Sequence, residues 1–238
     1  MKDRNGQGKD NWLLIKVAGG AATAPEIAPG ARKEPLPKVA EPQLATLVDD
    51  PPPGDGWVHE IKFDGYRLLC RIDGSDVRLL TRHAKDWTDR FSGLAAAAKD
   101  LPVRQALLDG EAVVLDERGI SSFQALQEAL STNRDQDVLY FAFDLLHLNR
   151  RDLRRQPLVD RKAALAKLLR DPEGRIRYSD HVEGNGEEFF RRTCALSLEG
   201  IVSKQRDGLY QSGRSRQWVK VKCQPTRQEF VIGGFTDP

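Results

Sequence analysis

From residue 57 onward the chain is built of short strand-like runs, and this pattern constrains its fold more than any other feature. The runs fall at 57–61, 66–72, 77–80, 106–109, 112–115, 138–145, 200–204 and 217–222. Asp73-Gly74 and the turn from Asp116 to Gly119 supply the residues that close hairpins between some of them. Helical patterns interrupt the series. Ser121 followed by Gln124 predicts a capping box ahead of FQALQEAL, Pro157 opens LVDRKAALAKLLR, and Asn185 with Glu188 caps EEFFRRTCALSL, which Gly200 stops. Hairpin strands mixed with separate helices, without strict alternation or internal repeat, predict an α+β domain with mostly antiparallel sheets.

Composition sets the bounds. The chain has 238 residues, 39% hydrophobic and 30% charged, enough for one substantial core or two small ones. No run reaches the roughly 20 apolar residues of a membrane helix, and MKDRNGQGKDNW lacks the layout of a secretory signal. The expected location is the cytoplasm, with no membrane partner. Cys70, Cys194 and Cys223 are odd in number with no CxxC pair, so the sequence predicts reduced thiols and neither a disulfide framework nor a zinc site. Eight of the 13 prolines lie between Pro25 and Pro53, which predicts a Pro/Ala-rich linker over 17–40. Ahead of it, WLLIK at 12–16 reads as a lone strand, the end of some other module in residues 1–16. At the other end EFVIGGF, 229–235, begins a strand that the chain does not continue.

The net charge of +2 conceals clustering. Residues 147–170 carry eight Lys/Arg against two Asp, and 211–222 carry Arg214, Arg216, Lys220 and Lys222 with no acid. Clusters of this kind suit phosphates, although a solvated helix face has the same appearance.

The stretch HEIKFDGYR, 59–67, carries the most chemistry. Lys62 stands where a strand runs out into Phe63-Asp64-Gly65, a turn in which Asp bonds locally and Gly is expected to take backbone angles that others avoid. A lysine attacks only as the neutral amine, so desolvation or neighbouring cations, for which Arg67, Lys220 and Lys222 are available, must lower its pKa. Further along stand Asp109-Gly110-Glu111, Phe143-Asp144, Glu199-Gly200 and Trp218-Val219-Lys220-Val221-Lys222, whose alternation projects both lysines from one strand face. Each alone also fits an ordinary structural role.

Taken in order, Lys62-x-Asp64-Gly65-x-Arg67, Thr81-Arg82, Asp109-Gly110-Glu111, Phe143-Asp144, Glu199-Gly200-Ile201-Val202 and Lys220-Val221-Lys222 resemble the motifs of the covalent nucleotidyltransferases: DNA ligases, RNA ligases and mRNA capping enzymes. The intervening text, including PQLATLVDDPPPGDGWVHEIKFDGYR, LDGEAVVLD, FDLLHL and GRSRQWVKVKC, resembles the ATP-dependent ligase module of bacterial ligase D, the enzyme of nonhomologous end joining. KDNWLLIK is similar to the end of that enzyme's phosphoesterase module.

The resemblance implies an adenylation domain over 41–228 with packed sheets flanked by helices, and it reads 229–238 as the truncated start of an OB-fold domain that is otherwise missing. It implies that Lys62 takes AMP from ATP, that AMP passes to a 5′-phosphate at a nick or double-strand end, and that the 3′-hydroxyl seals the break. By the same resemblance Arg67 and Glu111 hold the ribose, Phe143 and Val202 sandwich the adenine, and Glu60 with the backbone at Ile61 reads its amino edge. Lys220 and Lys222 hold the α-phosphate. Glu199, with Glu111 nearby, carries Mg²⁺, for which Mn²⁺ is the substitute. Arg82 and Arg216 are phosphate contacts, on DNA and nucleotide respectively, and Asp64 and Gly65 shape the turn. A Ku-like protein and other ligase D modules are the implied partners, and the nucleoid the implied place of work. With the OB-fold missing, the implied core is weak or inactive from ATP alone. An RNA ligase or capping-type guanylyltransferase shares the lysine motif, and a catalytically silent DNA-binding module shares the basic surface. GTP labelling would mark the former, and salt-sensitive DNA binding indifferent to Lys62→Ala the latter.

Overall fold

The computed structural model describes residue 25 and residues 30–223, apart from 133 and 172. The expected strands at 12–16 and 229–235 lie outside the described residues. Strands β1 (Arg32–Lys33), β2 (Gln43–Leu47), β3 (Trp57–Ile61), β4 (Tyr66–Asp73), β5 (Asp76–Thr81) and β6 (Gln105–Val113) are followed by β7 (Leu139–Leu148), β8 (Arg151–Asp152), β9 (Ile176–Tyr178), β10 (Val182–Glu183), β11 (Gly200–Gln205) and β12 (Gly213–Lys222). Among the described residues four α-helices punctuate them: α1 (Ser92–Lys99), α2 (Phe123–Ser131), α3 (Leu158–Leu168) and α4 (Gly186–Ala195).

Two sheets form. A seven-stranded sheet runs β1-β8-β7-β6-β4-β5 with β9 also paired to β7, and a five-stranded sheet runs β10-β3-β11-β12-β2. Among the described residues only β7 with β9 and β12 with β2 pair in parallel, so the expected α+β class with mostly antiparallel sheets is the one observed.

Strand periodicity explains how the layers stack. On β4, Leu68, Cys70 and Ile72 face one way and join Leu94 of α1, Leu126 of α2 and Leu165 and Leu168 of α3 in the main core. Leu69 faces the other way and packs with Leu107, Leu146, Tyr210 and Trp218 between the two sheets. The adjacent Leu68 and Leu69 are both needed because this sheet is buried on both faces. The outer face of the five-stranded sheet is closed by Phe189 of α4 against Ile201 and Val221.

Several expectations need correction. The break predicted at Gly110 does not exist: β6 runs straight through it, because a Cβ there would stand 2.5 Å from the Tyr140 ring, so glycine is a packing requirement and not a turn. Residues 31–40 do not behave as a free linker, since Ala31 and Leu36 are buried and Arg32–Lys33 pairs with β8. The cap of α2 is Ser122, whose hydroxyl accepts from Ala125 N, while Ser121 Oγ accepts from Asp64 N. Asn185 sits at the start of α4 in a left-handed conformation and makes no side-chain cap. Cys194 and Cys223 form a disulfide across 29 residues, leaving Cys70 as a buried free thiol whose pKa burial pushes up to about 12. The packing of α4 against β11 and β12 brings the two cysteines together, a contact that their spacing alone does not reveal.

Candidate functional site

A cavity of about 290 Å³ is lined by residues of both sheets. Register decides what lines it. In the five-stranded sheet Val202 pairs with Glu60 on one side and Lys220 on the other, which places the three abreast. In the seven-stranded sheet Arg67 pairs with Glu111 across β4 and β6, and Phe143 follows on β7. Ile61, Lys62 and Arg82 complete the part of the lining that the sequence anticipates.

Lys62 follows the last residue of β3, and its backbone N–H donates to Gly200 O at 2.9 Å. The close approach depends on Gly200, where φ is +149° and a Cβ would lie 2.1 Å from Val221 O. Lys62 Nζ donates to Glu199 Oε2, and Lys222 Nζ lies 3.2 Å from Glu199 Oε1. Glu199 thus bridges the two lysines; of the three only Lys62 is in the pocket lining, and Glu199 and Lys222 stand beside it. The following turn is fixed by Asp64, whose carboxylate accepts from Phe123 N at the start of α2. Gly65 is required for a different reason from the one expected. Its φ is not positive, but a Cβ would stand 2.1 Å from Ala112 O and 2.8 Å from Val113.

The walls are electrostatically graded. Arg67 makes a bidentate pair with buried Asp109, at 2.9 and 2.6 Å, and its guanidinium lies 5.1 Å from the Phe143 ring centroid. Burial works against its charge, but Asp109 outweighs burial and raises its pKa. Glu111 has no such partner among the described residues, and desolvation pushes its carboxyl up to about 8 against the pull of Arg67 and Lys62. Burial, together with Lys62, Lys222 and Arg214, lowers Lys220 from the ordinary lysine range.

Beneath the pocket lies a charged floor that sequence reasoning missed. Glu60 accepts from Lys162 and from Lys204, each at 2.8 Å, and Asp144 accepts from Arg161 at 2.7 and 2.8 Å. Lys204 Nζ also stands 4.2 Å from the Phe143 ring centroid and 4.3 Å from that of Trp218. The two rings meet edge to face at 5.9 Å, so Trp218 and Lys204 together fix Phe143. Trp218 was legible from its place two residues before Lys220 on the same strand face. Arg214, whose guanidinium donates to Ala45 O, lines the pocket, whereas Arg216 is exposed and outside the lining. The β12 bulge between Ser215 and Val219 changes the alternation there.

The description "ATP dependent DNA ligase domain" belongs to the family whose sequence profile matches residues 42–222. This chain belongs to that family. Among relatives of the ligase domain, it is 44% identical to the multifunctional non-homologous end joining protein LigD of Pseudomonas aeruginosa over 247 residues, covering 100% of the chain and 29% of the relative. It is 38% identical over 186 residues to a probable DNA ligase of Streptomyces coelicolor, covering 73% of the chain and 36% of the relative. The ligase domain therefore spans about a third or less of either relative's length. Its fold matches the crystal structure of the ligase domain of Mycobacterium tuberculosis LigD with a TM-score of 0.64 and 36% identity, covering 76% of this chain and 60% of that one. It also matches a mycobacterial DNA ligase D complexed with ATP and MES, with a TM-score of 0.58 and 34% identity over 75% of this chain and 60% of that one.

The donor set fits a hard divalent cation in a limited way. Among the described residues no group of three or more His, Cys, Asp or Glu forms a cage. Glu199 and Glu111 instead supply separate carboxylates at the pocket, which suits Mg²⁺, an ion that commonly takes one or two carboxylates and completes its shell with water and substrate phosphates. Among the described residues no helix is long and apolar enough to cross a membrane.

Proposed function

We propose that this ligase domain joins DNA strands by passing AMP from ATP through Lys62. The observation that carries the reading is the convergence of Lys62, Arg67, Glu111, Phe143 and Lys220 on one inter-sheet pocket, with Glu199 paired to Lys62 beside it, from five separate segments of sequence. The amine of Lys62 attacks the α-phosphorus of ATP, a P–N bond forms, the bond to the β-phosphate oxygen breaks, and pyrophosphate departs. A DNA 5′-phosphate oxygen then displaces Lys62, and the 3′-hydroxyl displaces AMP to leave a phosphodiester.

Phosphoryl transfer needs positioning and charge neutralisation, and the pocket supplies both. Adenine lies between Phe143 and Val202 with its amino edge toward Glu60 and the backbone at Ile61, and Arg67 and Glu111 hold the ribose. Lys220 and Lys222 neutralise the α-phosphate, with Arg214 replacing Arg216 in that role. Arg82, exposed at the rim, meets DNA phosphate. Mg²⁺ or Mn²⁺, held by Glu199 and Glu111 together with nucleotide phosphates, supplies Lewis-acid neutralisation of charge on phosphoryl oxygens. DNA nicks and double-strand ends are the substrates, with a Ku-like protein and other ligase D modules as partners in the bacterial cytoplasm at the nucleoid.

The test is to incubate the 238-residue chain with a pre-adenylated nicked duplex and Mg²⁺, without ATP, beside a labelling reaction with α-phosphate-labelled ATP. Sealing that is lost in Lys222→Ala, together with label that is lost in Lys62→Ala, supports the reading. No sealing at any protein concentration sinks it and leaves DNA binding as the function.

A further inference from the structure

At the end of the seven-stranded sheet remote from the pocket lie two adjoining clefts of about 390 and 510 Å³, which share Asp73, Gln105 and Arg150 in their walls. Lys33 borders one and Arg104 the other. All three cations are exposed, and among the described residues none of their side chains has an ionic partner. The acids nearby are already engaged: Asp73 accepts from Gln105 at 2.9 Å and Arg71 at 2.8 Å, and Glu34 lies 3.9 Å from Arg154. Taken together the two clefts set three cations against two acids, both acids already engaged, so the excess charge is positive.

The backbone that presents Arg150 is the second observation. Leu148 pairs with Arg151, so Asn149 and Arg150 are the two residues of the β7–β8 hairpin, and both are left-handed, with φ of 44° and 67°. Such turns favour Asn-Gly. Asn149 fits, and its Oδ1 accepts from the backbone N–H groups of Arg104 and Gln105 at 3.0 and 3.1 Å. Arg150 does not fit: a left-handed conformation that favours glycine holds an arginine whose guanidinium makes no hydrogen bond or ion pair among the described residues. Strain kept at an unpartnered side chain points to a ligand.

We propose that Lys33, Arg104 and Arg150 form a second contact for the phosphate backbone of duplex DNA, outside the adenylation pocket. The proposal rests on the DNA-joining reading above. Six residues of β4 separate Arg67 at the pocket from Asp73 at the clefts, about 20 Å or roughly six base pairs of duplex, so the contact is to the flank of a DNA whose break lies at Lys62. The clefts offer a protein partner little apolar surface, with Leu36 only 8% exposed and Pro35 the one exposed apolar residue of their walls, and a polar cationic surface is the character of nucleic-acid interfaces.

The test measures binding to a nicked duplex with arms of about 12 base pairs and to a hairpin-closed one with arms of about 4, too short to span the distance, across a salt series. Arg150→Gly relieves the hairpin, so it is expected to keep or raise the thermal midpoint while making the long-arm salt slope shallower by about 1, and R104A/R150G by about 2. Short-arm binding and AMP labelling of Lys62 stay unchanged. An unchanged long-arm slope in a folded R104A/R150G overturns the assignment and leaves the clefts to an acidic protein, as does equal loss on both duplexes. Wild-type chain that labels with AMP and binds the duplexes, but shows no long-arm difference, sinks the second contact alone. Wild-type chain that neither labels nor binds sinks the DNA-joining reading with it.

Discussion

Lys62 in the pocket lining and Glu199 beside it form an ion pair, with Nζ donating to Oε2. While Nζ donates to Glu199 it is directed at that carboxylate and not at a phosphorus. Attack therefore requires Glu199 to release Lys62; Glu199 would then be free to hold a divalent cation, which would supply charge neutralisation at the phosphates. Glu199→Ala is expected to slow AMP labelling by about 100-fold or more and to abolish its steep dependence on Mg²⁺ concentration. Rates of label incorporation across a metal titration check this, and an unchanged metal dependence would remove Glu199 from the metal role.

Glu111 predicts a pH dependence with a definite sign. Its folded pKa is raised to about 8 from the ordinary 4.5, chiefly by desolvation, so the folded state binds the extra proton between those values. Stability from this group is complete below 4.5 and is lost as pH rises through about 8. Glu111→Gln should hold the neutral form at every pH and flatten that part of the profile. Urea midpoints of both proteins from pH 5 to about 9 decide it, and parallel profiles would count against a protonated Glu111.

The Cys194–Cys223 disulfide closes a loop across 29 residues, and its removal is expected to cost roughly 3–4 kcal/mol in the chain-entropy account. Cys223 N donates to Glu199 O at 3.0 Å, so the bridge also steadies the segment carrying Glu199 and Lys222. A reductant should lower the denaturation midpoint of the wild-type chain and leave that of C194A/C223A unmoved. Equal sensitivity of the two would show that the bridge does not contribute.

What was legible in the sequence is what is local. Period-2 alternation revealed the strand faces carrying Lys220 and Lys222, and the turn at Asp64-Gly65 marked where Lys62 leaves its strand. The ordered motifs then assembled residues that lie far apart in sequence into one site. Illegible was whatever depends on packing between distant segments. Arg161 and Lys162 look like the wet face of a basic helix, and only the approach of α3 to β3 and β7 buries them against Asp144 and Glu60. Gly65 read as a turn residue and Gly110 fell in a gap between strands because sequence signals glycine without telling close approach from backbone freedom.

The floor of the pocket gives the sharpest test of that packing. Glu60 is 2% exposed and lies between two buried ammonium groups, so the trio carries one positive charge in excess. Burial, and repulsion from Lys162, lower Lys204 to about 8 even though Glu60 pulls the other way. Removing the shared anion strands two buried cations, whereas removing Lys204 leaves a neutral pair. Glu60→Gln is therefore expected to cost about 3–5 kcal/mol, and Lys204→Met much less, by urea denaturation at neutral pH. The pH response separates them further. Between about 8 and the ordinary 10.5 the unfolded chain binds the Lys204 proton and the folded chain does not, so this lysine makes stability rise with pH over that window. Lys204→Met should lack that rise. Equal costs for the two substitutions, or an identical alkaline profile in Lys204→Met, would mean that Lys204 keeps its proton and that Glu60 belongs to it no less than to Lys162.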